Sequence, residues 1–247
     1  MQDSALPWDF VVILLVLGIV VPWRGMVRVR ALLAVPSLGS AERISLYAST
    51  IAFQWLAAGV TAWRAVARGF GPATLGLSPE NPAPGLALGA AMAVVLASLQ
   101  IASLRQLSRL PAEKRGHLYQ ISSKIMPRNL TEALAFVALV GTVSLCEELL
   151  YRGFAFAVFK QLGGGSAALA VAGSSALFAV GHLYQGRRGV ASTFVLGLLL
   201  AGARSWSDSL LPSIIAHLAV DLVAGLAGPR FMGEGLRAAG EEQGPAA

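Results

Sequence analysis

Residues 85–104 read GLALGAAMAVVLASLQIASL, twenty residues without a charged side chain. A helix of about 20 residues, rising 1.5 Å per residue, covers the roughly 30 Å hydrocarbon core of a bilayer. Uncharged runs of at least this length also occupy residues 44–63 and 161–186. Four shorter apolar runs reach spanning length only with polar flanking residues or an interior charge. They lie at residues 10–23, 133–146, 189–203 and 209–220. The sequence therefore predicts seven membrane-spanning helices, with six or eight as alternatives.

The composition agrees with a membrane protein. Of the 247 residues, 55% are hydrophobic and only 13% are charged, against roughly 25% charged residues in soluble domains. We therefore expect an all-α, polytopic membrane helix bundle that forms a single integral membrane domain over residues 1–247, with a disordered polar tail at about 235–247. The net charge of +6 comes from basic residues between apolar runs, without a nucleic-acid motif, so no nucleic-acid partner is expected.

The distribution of positive charge predicts the topology. The segment 24–43 holds four arginines and the segment 105–128 holds six lysines or arginines, whereas the loops between them hold far fewer. Because cytoplasmic loops carry an excess of Lys and Arg, we expect the N-terminus outside and the C-terminus inside. The composition, rich in Ala, Gly and Arg, suggests a bacterial cytoplasmic membrane.

The fourth predicted span contains ionisable residues, each of which costs at least about 2.5 kcal/mol inside a membrane. This span begins at a capping-box sequence, Asn129 to Glu132, and contains Glu147, Glu148 and Arg152. The spacing of Glu148 and Arg152 predicts an ion pair within one helix. Glu147 then has no partner on its own helix, as suits a group that accepts and returns a proton.

Two histidines also lie in predicted spans. Phe178 and His182 are four residues apart, as are His217 and Asp221, so each pair shares a helix face. Counted from the turn at Gly163, Glu147 and His182 lie at similar distances along antiparallel helices, about 24 and 28 Å. These groups can therefore converge within the membrane.

Together these residues form an ordered pattern on successive apolar segments. It reads EELLYR at 147–152, FAVGH at 178–182 and HLAVD at 217–221. The pattern resembles the CPBP family (CAAX protease and bacteriocin-processing, Abi or type II CAAX prenyl endopeptidase), whose marks are E-E-x-x-x-R, F-x-x-x-H and H-x-x-x-N or D. The family-like core would cover about 129–228. Asp221 stands where the prenyl endopeptidases usually have Asn.

The resemblance implies an intramembrane endopeptidase that cleaves near the cytoplasmic side. In that scheme Glu147 is the general base, helped by His182, and His217 with Asp221 lines the oxyanion side. Glu148 belongs to the catalytic group, and Arg152 and Phe178 support it. The implied partners are a peptide or membrane-protein substrate and the lipid bilayer. The identity of the substrate and the oligomeric state are left open.

Other chemistries use the same residue types. Glu147, His182 and His217 are a possible zinc ligand set, with Glu148 as the base and Asp221 supporting a ligand, although the H-E-x-x-H sequence of zincins is absent. Zinc is thus an alternative cofactor, and none is certain. A transporter or proton relay also uses buried Glu, His and Asp, and a non-catalytic immunity scaffold is a further alternative.

Overall fold

The computed structural model describes residues 6–111 and 114–231. Every regular element in this part of the chain is helical, which confirms the predicted all-α bundle. The predicted polar tail at 235–247 lies outside the described residues.

The described chain contains six helices that are long and apolar enough to cross a membrane. They are α1 (Trp8–Ala34), α2 (Ser40–Ala67), α3 (Pro82–Ser108), α5 (Leu130–Leu162), α7 (Leu183–Ser207) and α8 (Leu211–Phe231). Two shorter helices accompany them, α4 (Gly116–Ile125) and α6 (Ala167–Gly181). The structure therefore has six full-length candidate spans and one short apolar helix, α6, where the sequence predicts seven spans.

Helix α6 is shorter than the span predicted at 161–186. It begins after Ser166, whose hydroxyl accepts a hydrogen bond from the Leu169 amide, and it ends at Gly181. Its 15 residues measure only about 22 Å. The following turn packs inside the bundle, because Tyr184 lies against Gly25, nine residues before the end of α1 at Ala34. His182 is therefore held among the helices.

The predicted loop at 24–43 is wrong over most of its length. Helix α1 continues to Ala34, so the arginines at positions 24, 28 and 30 lie within a helix. Arg is a good helix former and the surrounding residues are apolar, so nothing stops the helix before Pro36. The basic residues still lie toward the same end of the bundle as the 105–128 segment.

Small residues allow close packing of α3 against α8. Gly85 and Gly89 lie one turn apart on α3, the small-xxx-small spacing typical of membrane helix contacts. A Cβ atom added to Gly89 would lie only 2.9 Å from the Cα of Pro212. The backbone approach that holds α8 in place therefore depends on glycine.

A buried ion pair joins the start of α5 to α2. Arg43 Nη1 lies 2.8 Å from Glu132 Oε2, and both side chains are almost fully buried. Half of the predicted capping box is present: Asn129 Oδ1 accepts from the Glu132 backbone amide, whereas Glu132 Oε1 accepts from the side-chain Nδ2 of Asn129 and not from its backbone amide. These bonds fix the start of the helix that contains both glutamates.

Candidate active site

The glutamate pair lies where α5 changes from α-helical to π-helical winding. The π segment covers Glu148–Ala155, directly after Glu147. Such segments are rare and often occur at functional sites. The two neighbouring carboxylates contact different helices, and they therefore have different surroundings.

Glu148 is held by two cationic or potentially cationic groups. Its Oε1 atom lies 2.9 Å from Arg152 Nη1 and 2.8 Å from His217 Nδ1. Glu148 and Arg152 are fully buried, so the ion pair predicted from their spacing is present. This carboxylate connects α5 to α8 and sets the orientation of the His217 ring.

Glu147 instead contacts α2 and His182, the residue directly after α6. Its Oε1 atom accepts a hydrogen bond from Gln54 Nε2 at 2.8 Å, and its Oε2 atom lies 3.9 Å from His182 Nε2. Oε2 is buried and has no hydrogen-bond partner among the described residues. One oxygen of Glu147 is thus anchored and the other faces the imidazole.

The backbone decides which nitrogen of His182 faces Glu147. His182 Nδ1 lies 2.8 Å from the carbonyl oxygen of Phe178. A carbonyl oxygen can only accept a hydrogen bond, so Nδ1 carries a proton, and in the neutral form of the ring Nε2 is the unprotonated nitrogen that faces Glu147. The Glu147 carboxylate and a basic nitrogen therefore face each other across 3.9 Å.

His217 is placed between two carboxylates. Beyond the contact of Nδ1 with Glu148, its Nε2 atom lies 3.5 Å from Asp221 Oδ2. The His217 side chain is 5% exposed, whereas that of Asp221 is 34% exposed. The predicted pairing of His217 with Asp221 is present, and this contact is looser than the one with Glu148.

Aromatic rings separate and position the two histidines. The Phe178 ring centroid lies 4.5 Å from that of His182 and 6.0 Å from that of His217. The Arg152 guanidinium lies over the Phe178 ring, 4.0 Å from its centroid. Tyr151 packs edge-on against the Phe178 ring. Phe178 is therefore the shared wall of the site.

The segment that contains the three motifs is similar to a known protein family. Residues 129–223 match a family described as Rce1-like, type II CAAX prenyl endopeptidase Rce1-like. Residues 129–223 form an Rce1-like domain. The match covers all three motifs, whereas α1, α2 and α3 lie outside it. No curated protein and no solved structure shows a significant match to the chain.

The Rce1-like domain supports a peptidase activity, and the six long apolar helices indicate an integral membrane protein. The resemblance inferred from the three motifs is confirmed at the level of the family.

The side chains of the Rce1-like domain do not form the proposed zinc set as arranged. No group of three or more His, Cys, Asp or Glu among the described residues is disposed to hold a metal ion. The two ring nitrogens of His217 face Glu148 and Asp221, so neither is directed at Glu147 and His182. As arranged, these side chains do not present the three-ligand set, and zinc binding stays a prediction.

Two contributors to the site lie outside the predicted set. Gln54 lies on α2, far from the Rce1-like domain in sequence, and Tyr184 follows the short helix α6, with its ring centroid 5.7 Å from that of His182. Gln54 had a visible signal, because it is the only side-chain amide in the uncharged run 44–63. Nothing in the sequence distinguishes Tyr184 from an interfacial tyrosine.

A cavity of about 340 Å³ at the other end of the bundle does not belong to this site. Lys160 and Arg204 line it together with Phe70 and Phe156. Lys160 follows Glu147 by 13 residues on α5, about 20 Å of helix. Its lining holds no histidine, and its one carboxylate, Asp208, lies 3.3 Å from Arg204 Nη1, so the cavity does not repeat the Glu–His pairing of the candidate active site.

Proposed function

We propose that the protein is an intramembrane endopeptidase in which Glu147 and His182 activate water to hydrolyse a peptide bond. The observation that supports this proposal best is the pairing of Glu147 Oε2 with His182 Nε2 at 3.9 Å. Both atoms are hydrogen-bond acceptors when Glu147 is ionised and His182 is neutral. The separation is too long for a direct hydrogen bond, so both acceptor atoms are free to bind a water molecule that enters with the substrate and donates one proton to each.

In the proposed reaction, this water attacks the carbonyl carbon of the scissile bond. As the new carbon–oxygen bond forms, one water proton passes to Glu147 or His182, and the carbonyl oxygen becomes an oxyanion. The carbon–nitrogen bond then breaks and the same proton is delivered to the departing amine. The second water proton is lost from the new carboxylic acid, so the catalytic pair ends in its starting state.

His217 is the proposed donor to the oxyanion. Glu148 holds Nδ1, and the looser contact with Asp221 leaves Nε2 able to share its proton with a substrate oxygen when the ring carries both protons. Preorganised donors of this kind stabilise charge effectively where water is excluded. Asp221 would keep the ring charged, which gives a role to the carboxylate that stands in the place of Asn.

Glu148, Arg152 and Phe178 are proposed to position this machinery. Glu148, held by Arg152, fixes the His217 ring, and Phe178 packs against both imidazole rings while its backbone oxygen accepts a hydrogen bond from His182 Nδ1. Substitution of these residues should therefore change the positions of the two histidine rings and leave the groups that transfer protons in place.

The distribution of charge supports cleavage near the cytoplasmic side. The end of the bundle at which α6 ends carries most of the basic residues. They include those of the 105–128 segment, Arg187 and Arg188. That end is cytoplasmic by the positive-inside rule. The expected location is a bacterial cytoplasmic membrane, with the N-terminus outside.

Cleavage by the purified protein in detergent tests this proposal. The substrates are a mixture of hydrophobic peptides, each in unmodified and farnesylated form, analysed by mass spectrometry. We expect wild-type cleavage, and a loss of about 10²- to 10⁴-fold in kcat for Glu147→Gln and His182→Ala. Exposed Glu80→Gln, a matched loss of one carboxylate, should retain full activity.

Metal content is measured on the same sample. Stoichiometric zinc that is lost together with activity on chelation, and regained on addition of zinc, would favour the alternative mechanism. Wild-type activity that survives Glu147→Gln, His182→Ala and His217→Ala would overturn the assignment of the site.

A further inference from the structure

The cavity of about 340 Å³ lies at the end of the bundle opposite the basic segments. Among its lining residues, Lys160 lies two residues before the end of α5, and Arg204 lies three residues before the end of α7. Phe70 follows the end of α2 by three residues. The volume is within the roughly 300 to 1,000 Å³ typical of small-molecule sites. The cavity is therefore large enough for a ligand and lies where the helices leave the membrane.

Arg204 is fixed in the wall of this cavity, and its side chain is only 4% exposed. Its Nη2 atom donates to the Thr74 carbonyl oxygen at 3.1 Å, and its Nη1 atom lies 3.3 Å from Asp208 Oδ1. Gly76 makes room for the guanidinium, because an added Cβ atom would lie 2.8 Å from Arg204 Cζ. An arginine has more N–H donors than these two contacts use. The guanidinium is therefore held in place with donors left for a ligand.

Lys160 adds a second positive charge at the rim of the cavity. It follows Phe156 by four residues on α5, so the two side chains share a helix face. The Arg204 guanidinium carbon lies 5.3 Å from the centroid of the same Phe156 ring. Lys160 is exposed and forms no salt bridge among the described residues. Asp208 is the one carboxylate of the described lining, so the cavity has an excess of positive charge.

The surroundings of the cavity favour a lipid over a soluble anion. Phe70, Phe156 and Ala73 supply apolar wall beside the two cations. Trp63 and Trp206 lie near the ends of α2 and α7 on this side of the bundle, and their side chains are 65% and 69% exposed. Exposed tryptophans near span ends typically lie at the level of the lipid headgroups. Cations and an apolar wall at this level fit a ligand whose charged group is attached to acyl chains.

We propose that this cavity binds the phosphate group of an anionic phospholipid, with Arg204 and Lys160 as the binding cations. Arginine binds phosphate through paired N–H donors, and lysine binds it as a point charge. The excess of positive charge favours a lipid with a net negative charge over a zwitterionic lipid. The cavity is separate from the Glu147–His182 pair, so this inference does not depend on the proposed peptidase function.

Binding of three ligands to the purified protein in an uncharged detergent tests this proposal. Dioctanoyl phosphatidylglycerol has a phosphate group, acyl chains and a net negative charge. Dioctanoyl phosphatidylcholine has the same phosphate group and chains without the net charge, and inorganic phosphate has no chains. Isothermal titration calorimetry gives the Kd of each ligand.

Two variants change the cavity at exposed positions, where a substitution is tolerated best. Lys160→Gln removes one cation, and Ala73→Trp places a large ring in the cavity without a change in charge. Lys114→Gln is the matched control, because Lys114 is an exposed lysine in the basic segment at the opposite end. Arg204 also holds the Thr74 carbonyl oxygen, so its substitution would affect folding as well as binding and is not used.

We expect saturable binding of phosphatidylglycerol to wild type and to Lys114→Gln with the same Kd. The Kd should rise about 5-fold in Lys160→Gln, as for the loss of one basic residue at a membrane surface, and should rise further in Ala73→Trp. Phosphatidylcholine and inorganic phosphate should both bind wild type more weakly than phosphatidylglycerol.

An unchanged Kd for phosphatidylglycerol in Lys160→Gln or in Ala73→Trp would overturn the proposal. Equal Kd values for the two lipids would show that the net charge is not recognised, and would overturn it too. Inorganic phosphate that binds as tightly as phosphatidylglycerol would assign the cavity to a soluble anion and not to a lipid.

Discussion

Gln54 and Glu147 are hydrogen-bonded across 93 positions of the chain, with 2.8 Å between Nε2 and Oε1. The bond reaches from α2, outside the Rce1-like domain, to the proposed general base. It turns one carboxylate oxygen toward α2 and leaves the other, 3.9 Å from His182 Nε2, for chemistry. The N-terminal helices are therefore part of the site and not only a support for it.

Substitution Gln54→Leu should lower kcat about 10-fold and leave KM nearly unchanged. Loss of one hydrogen bond to a charged group is worth about 1.5 to 3 kcal/mol, and the freed carboxylate would rotate away from the attacking water. Steady-state kinetics with a cleaved peptide measure this effect. Gln106→Leu, at an exposed position on α3, is the control. An unchanged kcat in Gln54→Leu would show that Glu147 does not need this anchor.

Glu148 and Arg152 should be strongly coupled in their contributions to the free energy of unfolding. Arg152→Met leaves a carboxylate in the core with one partner fewer, and such a change typically costs about 3 to 5 kcal/mol. Thermal unfolding in detergent should therefore show a large loss for Arg152→Met. The double variant Glu148→Gln with Arg152→Met should recover part of that loss, because no unpaired charge remains. Additive losses would contradict the coupling.

Gly181 should tolerate no side chain while Tyr151 keeps its hydroxyl. A Cβ atom at position 181 would lie 2.7 Å from Tyr151 Oη, and Tyr151 is buried. Gly181→Ala should displace the turn that carries His182 and lower kcat. Tyr151→Phe removes the clashing oxygen, so the double variant should be more active than Gly181→Ala alone. If Tyr151→Phe is itself inactive, the hydroxyl has a role beyond packing.

The contact between α3 and α8 should depend on Gly89. Gly89→Leu places side-chain atoms where the backbone of Pro212 lies 2.9 Å from the Cβ position, so we expect a stability loss of about 1 to 3 kcal/mol from overpacking. Gly59→Leu on α2 is the control, because nothing lies within 4 Å of its Cβ position. Equal unfolding temperatures for the two variants would contradict the role of Gly89.

Local features of the site follow from residue spacing. The Glu148–Arg152 pair requires only two residues one turn apart, and the cap of α5 requires only Asn129 and Glu132. The approach of Glu147 to His182 was also predictable, because two antiparallel helices joined by a short glycine turn place equidistant residues at similar depth. Such features depend on helix geometry, which neighbouring residues define.

Other relationships depend on which helices pack together, and spacing along one helix carries no such information. Spacing indicated only that Glu147 has no partner on its own helix, and Gln54 from α2 supplies one. His217 was expected beside Glu147 and His182 in the zinc alternative, but packing of α8 places its Nδ1 atom against Glu148. The arginines assigned to a loop lie in α1, because helix continuation depends on local propensity more than on charge.

The sequence by itself determined that the chain is a membrane helix bundle with three acid and histidine motifs, because hydropathy and helical periodicity are properties of contiguous residues. Only the tertiary structure decided which other helices the two neighbouring glutamates contact. Glu148 is directed at Arg152 and His217, and Glu147 at Gln54 and His182, because the helices α2, α6 and α8 pack on different sides of α5.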